Sequence, residues 1–153
     1  NVLAICKTQQ LPIQFNVIGQ QFRKSPTVFD QIKELHQGQI NHFGFIKNRQ
    51  VYLSTLQQSD VVLSTALHEF QGLAIMEAAA LGCIPLVPDR LTYCEFYEPN
   101  YRYPSTPESP AKEAKTIVER LILWQQTLPP TVSMKRFSWP LLKKQYQNIV
   151  LNI

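Results

Sequence analysis

Cysteine is scarce in this sequence, with three among 153 residues, and the three show no C-x-x-C spacing. Cys6, Cys83 and Cys94 fall in different predicted elements, so neither a disulfide framework nor a zinc ribbon is expected. Buried free thiols are typical of a reducing compartment. We therefore expect a cytoplasmic protein whose cysteines are unpaired and buried.

The sequence also lacks an apolar run long enough to span a bilayer. The longest mostly apolar stretch, residues 73–87, contains Glu77 and ends at Pro88, which makes it too short and too polar for a membrane helix. The first residues have neither an initiator Met nor the basic and apolar regions of a secretory signal. We expect no membrane association, and we expect the chain to be cut from a longer protein.

Charged residues are few, at 17% against 44% hydrophobic residues, which excludes wholesale disorder, a collagen repeat and a coiled coil. A chain of 153 residues has the size of one domain with a single core. The net charge of +4 comes from scattered basic pairs rather than one long run. Such pairs mildly favour a phosphate ligand or an RNA partner, although solvated helix faces are the simpler account of most of them.

Several common catalytic motifs are absent. The sequence contains no G-x-G-x-x-G, no G-x-x-x-x-G-K-[ST] and no G-x-S-x-G. His68-Glu69 begins like a zincin motif, but Gly72 occupies the place of the second histidine. His36, His42 and His68 lie on separate predicted elements, so we expect no metal site.

Short β-branched or aromatic runs alternate with longer amphipathic stretches, which is typical of βαβ units and a parallel sheet. The predicted strands cover residues 14–19, 40–45, 60–65 and 84–87, with a further edge strand at 101–103. The predicted helices cover residues 26–35, 49–58, 72–81, 111–126 and the segment after Ser138. The sequence therefore predicts an α/β fold.

Helical spacing of apolar residues also predicts which side chains are buried. Val2, Leu3, Ile5 and Cys6 are typical of a helix that precedes the first strand. A crossover helix ordinarily follows an earlier strand, so we expect the sheet to lack at least one strand. The residues predicted to pack inside the later helices are Val51, Tyr52, Leu56, Ala114, Ile117, Val118, Leu121 and Ile122, with Trp124, Phe137, Trp139 and Tyr146 as packing aromatics.

The loop and helix after the third strand carry the best candidates for chemistry. In a parallel sheet, ligands bind beyond the carboxyl ends of the strands, and this segment leaves such an end. Gly72 permits close approach of a ligand to the backbone, and the first helical turn attracts an anion such as phosphate. Glu77 is placed to accept hydrogen bonds from a sugar diol, and Glu69 to reach a second sugar.

A purely structural interpretation of the two glutamates stands beside this one. Charged residues are mostly solvated, so Glu77 is also compatible with a surface helix position and Glu69 with a capping acid. Met76 and the alanines that follow Glu77 make the helix apolar around most of its circumference. This favours a buried carboxylate that needs partners, and hence a functional site.

The same segment resembles the E-x7-E region of retaining GT-B glycosyltransferases of the glycogen synthase and mannosyltransferase superfamily. The resemblance lies in SDVVLST at 59–65, HEFQG at 68–72, EA at 77–78 and GCIPL at 82–86. Within that superfamily the chain is most similar to the tRNA-queuosine α-mannosyltransferases. That similarity lies in HFGF at 42–45, ST at 64–65, PDRL at 88–91 and YPSTP at 103–107.

The resemblance implies a single donor-binding domain over residues 1–153, the C-terminal half of a GT-B fold, with a three-layer αβα Rossmann-like architecture. The N-terminal acceptor domain would be absent. It implies Glu69 as the catalytic acid that contacts the donor sugar and Glu77 as the ribose ligand. The other implied donor-binding residues are Phe70, Gly72, Leu73, Gly19, Arg23, Gly44, Phe45 and Lys47.

The implied reaction is transfer of mannose from GDP-mannose to queuosine in tRNA, with retention of configuration. The resemblance also implies that no bound metal or other cofactor is needed, because amide dipoles and basic side chains stabilise the leaving phosphate. The chain departs from its relatives at Cys94, where they tend to have proline, and it lacks the upstream strand that carries their basic pair. Without that basic pair we expect the phosphate site to be incomplete and the chain by itself to be inactive.

Two alternatives stay open. A nucleotide-sugar-binding or regulatory module of the same fold would bind without turnover, since a fold does not determine a function. A second alternative is another nucleotide-sugar enzyme, either a GT-B transferase with a different donor and acceptor or an epimerase with the same two-domain plan.

Overall fold

The computed structural model describes residues 1–19 and 28–151, which form two compact units. The first unit comprises Asn1–Thr55 and Thr106–Gln126, and the second comprises Leu56–Ser105 and Thr127–Ile153. Every strand pair between described residues is parallel, so the predicted α/β class is confirmed. The prediction that the whole chain is one donor-binding domain stays a prediction.

The elements follow the predicted alternation closely. The strands are β1 (Phe15–Ile18), β2 (Ile40–Gly44), β3 (Val61–Leu63), β4 (Ile84–Pro88) and β5 (Arg102–Tyr103). The helices are α1 (Val2–Thr8), α2 (Val28–Leu35), α3 (Arg49–Gln57), α4 (Leu73–Ala80), α5 (Tyr93–Phe96), α6 (Pro110–Gln126) and α7 (Trp139–Leu151). The predicted start of the second helix at residues 26 and 27 lies outside the described residues.

In the first unit, β1 pairs with β2, and α1 packs against α6. Cys6 of α1 is buried, as are Ile117 and Val118 of α6, which confirms the helical spacing predicted for both helices. The buried carboxylate of Glu113 accepts a hydrogen bond from the Thr106 N–H at 2.7 Å. An acid near the start of α6 is also stabilised by the helix dipole.

In the second unit, β4 lies between β3 and β5. All five residues of β4 are buried, as expected for a central parallel strand covered on both faces. Val61 lies opposite Ile84, and Leu63 lies opposite Leu86. Helix α4 packs on β4 and β3, so the loop between β3 and α4 leaves the carboxyl end of a strand, as predicted.

Some predicted core positions are wrong. Val51 of α3 is exposed, whereas Leu56 of the same helix is buried. Trp139 and Tyr146 of α7 are 65% and 58% exposed, although Trp124 is buried as predicted. Helical spacing identifies an apolar face but carries no information on what covers it.

One of the three cysteines also departs from the prediction. Cys6 and Cys83 are buried free thiols, and burial raises the pKa of both. Cys94 is exposed on α5, and its thiol lies 3.3 Å from Oδ1 of Asp89. A helix of four residues is too short to show a periodic pattern, so the sequence did not indicate which side of it faces solvent.

Within the described residues, we find no helix with the length and apolar character that crossing a bilayer requires.

Candidate functional site

The candidate site is the loop from Ser64 to Gly72 together with the first turns of α4. Gly72 caps α4 in the left-handed conformation, with φ of +69°. It brings no side chain to cap the helix, and the first N–H groups of a helix have no intrahelical partner. Leu73, the first residue of α4, is largely exposed. The start of α4 is therefore suited to an anion such as a phosphate.

Gly72 is required for a reason that the sequence did not show. A Cβ at this position would lie 2.9 Å from Cε1 of Tyr93, closer than carbon atoms can approach. The positive φ adds a second cost for any other residue. The structure shows a tyrosine ring of the same unit against this glycine, and the predicted close approach of a ligand stays a prediction.

Glu77 lies on the half-buried side of α4 rather than in its core. Ile75, Ala78 and Ala79 form the buried side. Helix α4 also borders an open cavity of about 920 Å³, which is lined on another side by residues of segment 131–138. The residues of α4 that line this cavity are Leu73, Ala74, Met76, Glu77, Ala79 and Ala80. The carboxylate of Glu77 therefore belongs to a cavity wall, where it can meet a polar ligand.

Glu69 lies in the loop and is half-buried. Its Oε1 accepts a hydrogen bond from the Phe70 N–H at 3.0 Å, and its Cγ lies 3.8 Å from the position that a Gly72 Cβ would take. It is not among the residues that line the cavity beside Glu77. The side chain of Phe70 is 95% exposed. The predicted joint action of the two glutamates on one ligand stays a prediction.

The other predicted donor-binding residues lie in the first unit. The Gly19 N–H donates to the Gly44 carbonyl at 3.2 Å, which brings the carboxyl ends of β1 and β2 together. Gly44 has φ of +112°. Phe45 and Lys47 follow it and are exposed. Arg23 lies outside the described residues, so its predicted role rests on the sequence.

The side chain of His42 is held by the backbone of its own strand. Its Nε2 lies 3.2 Å from the Gly44 carbonyl oxygen. This contact satisfies one ring nitrogen at the end of β2.

A buried hydrogen-bond network beneath the loop was not singled out from the sequence. The Tyr93 hydroxyl lies 2.7 Å from Oγ of Ser64, and the Tyr103 hydroxyl donates to the Ser64 carbonyl at 2.9 Å. Arg90 donates from Nε to the Ala66 carbonyl at 3.0 Å. The available signal was the PDRL run at 88–91, which entered only as part of a resemblance.

Burial raises the pKa of the Tyr93 hydroxyl, and the nearby charge of Glu69 raises it further. The hydrogen bond with Ser64 and the charge of Arg90 act in the opposite direction. Tyr93 therefore stays a neutral phenol over the physiological range, and Glu69 and Arg90 both lie within electrostatic reach of it.

Among the described residues, no group of three or more His, Cys, Asp or Glu side chains is arranged to hold a metal ion.

Comparison with known proteins identifies both a curated relative and a protein family. The chain is 38% identical over 95 residues to a Drosophila melanogaster protein named tRNA-queuosine alpha-mannosyltransferase, an alignment that covers 61% of this chain. The same alignment covers 25% of the fly protein, so the chain corresponds to about a quarter of that relative. The family model for glycosyl transferases group 1 matches residues 1–126. This match includes the candidate loop and all of α4, and the chain therefore belongs to the glycosyl transferases group 1 family.

Proposed function

We propose that this chain supplies the nucleotide-sugar-binding part of a retaining glycosyltransferase. The observation that carries the proposal is the segment from Glu69 to Glu77, which the family match covers and which combines an uncapped helix start with a cavity-lining carboxylate. Since the alignment spans a quarter of the fly relative, the activity of a whole enzyme is part of the proposal.

In the proposed complex the donor pyrophosphate binds the N–H groups at the start of α4. The helix dipole and these unpaired donors favour two negative charges there. Glu77, about one turn further along, accepts two hydrogen bonds from the ribose diol. Hydrogen bonds to an ionised carboxylate are roughly twice as strong as neutral ones. Glu69 contacts hydroxyls of the transferred sugar, as the resemblance implies.

The proposed donor is GDP-mannose, and the proposed acceptor is queuosine in tRNA. The name of the fly relative supports mannose as the transferred sugar and queuosine in tRNA as the acceptor, whereas the GDP part of the donor is what the sequence resemblance implies. The reaction exchanges the bond between the anomeric carbon and the GDP phosphate for a bond to an acceptor hydroxyl, and the acceptor proton passes to the leaving phosphate. No metal or other cofactor takes part in this scheme, in which amide dipoles stabilise the leaving charge.

The charge distribution supports a polyanionic acceptor. Residues 127–153 contain four basic residues and no acidic residue, so this segment accounts for the whole net charge of +4. All four basic side chains are exposed. Phosphate contacts by exposed Lys and Arg supply most of the non-specific affinity for nucleic acids. The four residues are Lys135, Arg136, Lys143 and Lys144.

Reversing the charge of Lys143 and Lys144 together is expected to weaken tRNA binding by about tenfold near physiological salt, because two phosphate contacts are lost. The slope of affinity against salt concentration should fall by about one for each contact removed. The measurement is a filter-binding titration with tRNA at several salt concentrations. The matched control reverses Lys112 and Lys115, which are exposed on α6. An equal loss of tRNA affinity in the two double variants would contradict a specific role of residues 127–151.

The two buried free thiols, Cys6 and Cys83, support a reducing compartment, and we propose the cytoplasm.

The donor assignment is tested by calorimetric titration of the chain with GDP-mannose, a UDP sugar and an ADP sugar. We expect weak binding of GDP-mannose and still weaker binding of the other two. A preference for the UDP sugar would contradict the GDP-mannose assignment, but the proposal of a glycosyltransferase would stand. Absence of binding by all three would contradict the donor site itself.

One alternative function gives the same result in this titration. A module of the same fold that binds the nucleotide sugar without turnover would show the same titration. The full-length protein separates the two, because an enzyme transfers labelled mannose to queuosine-containing tRNA and a binding module does not.

A further inference from the structure

A single tyrosine contacts both ends of the loop that carries Glu69. The Tyr93 hydroxyl lies 2.7 Å from Oγ of Ser64, where the loop begins. Its ring lies against Gly72, where the loop ends. A Cβ added at Gly72 would lie 2.9 Å from Cε1 of this ring. Tyr93 is 1% exposed, so the ring has little freedom to move away from either contact.

The start of the loop is held from several directions. The Ser64 N–H donates to the Leu86 carbonyl of β4 at 3.0 Å, and the Ser64 carbonyl accepts from Tyr103 of β5. Oγ of Ser64 also accepts from the Ala66 N–H at 3.2 Å. The Tyr93 hydroxyl therefore binds a serine that is itself hydrogen-bonded to β4 and to β5.

Arg90 adds a second connection to the same region. Its Nε donates to the Ala66 carbonyl, and one terminal nitrogen donates to Oγ of Ser105 at 2.9 Å. In contrast, Leu67, His68 and Phe70 in the middle of the loop are exposed. Because the middle has little packing of its own, the contacts at its two ends determine its conformation.

We propose that Tyr93 is a positioning residue that, through Ser64 and Gly72, fixes the loop carrying Glu69 in the conformation that contacts the donor sugar. This inference rests on the proposed function for the part that concerns the sugar. Tyr93 itself touches neither substrate nor reacting atoms in this scheme. Loss of its hydroxyl alone is expected to change nucleotide binding little, since the ring stays against Gly72 and the start of α4 is kept in place.

The variant Tyr93→Phe tests the structural part, because it removes the hydroxyl and keeps the ring against Gly72. Amide hydrogen exchange over residues 65–71 should accelerate by about fivefold, the factor that corresponds to one buried hydrogen bond. The matched control is Tyr101→Phe, which removes another buried tyrosine hydroxyl of the same unit, one that donates to the Pro130 carbonyl at 2.8 Å. Equal exchange over residues 65–71 in both variants would overturn the inference.

The functional part is measured as the dissociation constant for GDP divided by the dissociation constant for GDP-mannose. This ratio isolates the contribution of the sugar. We expect Tyr93→Phe to reduce this ratio by about fivefold and to change GDP affinity by less than twofold. In a Glu69→Gln background, Tyr93→Phe should cause no further reduction. Equal weakening of GDP and GDP-mannose, or a full effect of Tyr93→Phe in the Glu69→Gln background, would overturn the positioning role.

The two failures are distinguishable. If the wild-type chain binds neither GDP nor GDP-mannose, the proposed function fails, and the exchange comparison still decides whether Tyr93 holds the loop. If wild-type binding is seen but the exchange rates of residues 65–71 do not respond to Tyr93→Phe, the positioning role fails and the proposed function stands.

Discussion

Replacement of Gly72 by alanine is expected to lower the free energy of unfolding by about 3 kcal/mol. Two costs add at this position. A non-glycine residue in the left-handed region costs roughly 1–2 kcal/mol, and forcing a methyl group against the buried Tyr93 ring costs roughly 1–3 kcal/mol. The measurement is the change in the denaturant midpoint at constant slope.

Two other glycines provide matched controls for this substitution. Gly44 also has a positive φ, but nothing lies within 4 Å of the Cβ that alanine would add, so Gly44→Ala reports backbone strain alone. Gly38 shows no positive φ and no neighbour within 4 Å, so Gly38→Ala should be close to neutral. If Gly72→Ala costs no more than Gly44→Ala, the ring of Tyr93 does not constrain this position.

Replacement of Glu77 by alanine is expected to reduce GDP affinity by on the order of 100-fold. The proposed carboxylate accepts two hydrogen bonds from the ribose diol, and hydrogen bonds to charged groups contribute about 1.5–3 kcal/mol each. Alanine is also the strongest helix former, so α4 itself should persist. The measurement is calorimetric titration with GDP.

The control for Glu77→Ala removes an acid from a helix without touching the cavity. Glu119 of α6 is exposed and makes an i,i+4 pair with Lys115. Exposed pairs of this kind contribute about 0.3–0.5 kcal/mol, so Glu119→Ala should leave GDP affinity unchanged. Similar GDP affinities for Glu77→Ala and the wild type would contradict the proposal that Glu77 binds the donor.

The central part of the fold was predictable because its signals are local. The alternation of short apolar runs with amphipathic stretches located β3, α4 and β4 to within two residues at most ends. The continuous apolar centre of β3 suggested burial on both faces, but its three residues are half-buried, and it is β4 whose five residues are all buried. The uncapped start of α4 and its glycine followed from the same local pattern.

The orientation of Glu77 was harder to predict because the neighbouring residues are alanines. A run of small apolar residues makes a helix hydrophobic without marking one side of it, and the sequence suggested a buried carboxylate. In the structure Ile75 and Ala78 occupy the buried side, while Glu77 borders a cavity. Only the packing of α4 on the sheet separates the two sides.

Tyr93 was missed because its contacts are distant in sequence. Ser64 is 29 residues away, and Gly72 is brought against the ring by the pairing of β3 with β4. No spacing rule predicts a hydrogen bond between a side chain in a loop and one at the start of a distant helix. The exposure of Trp139 and Tyr146 was missed for a related reason, since periodicity does not reveal which other surface covers a helix.

The proposed function depends most on where the donor phosphates bind. The most direct measurement is a map of backbone amide chemical shifts of the chain during titration with GDP. We predict that the largest shifts fall on Gly72, Leu73, Ala74 and Glu77, and that they saturate with the calorimetric affinity. Shifts that spare these amides and concentrate around residues 94–102 would contradict the proposed donor site.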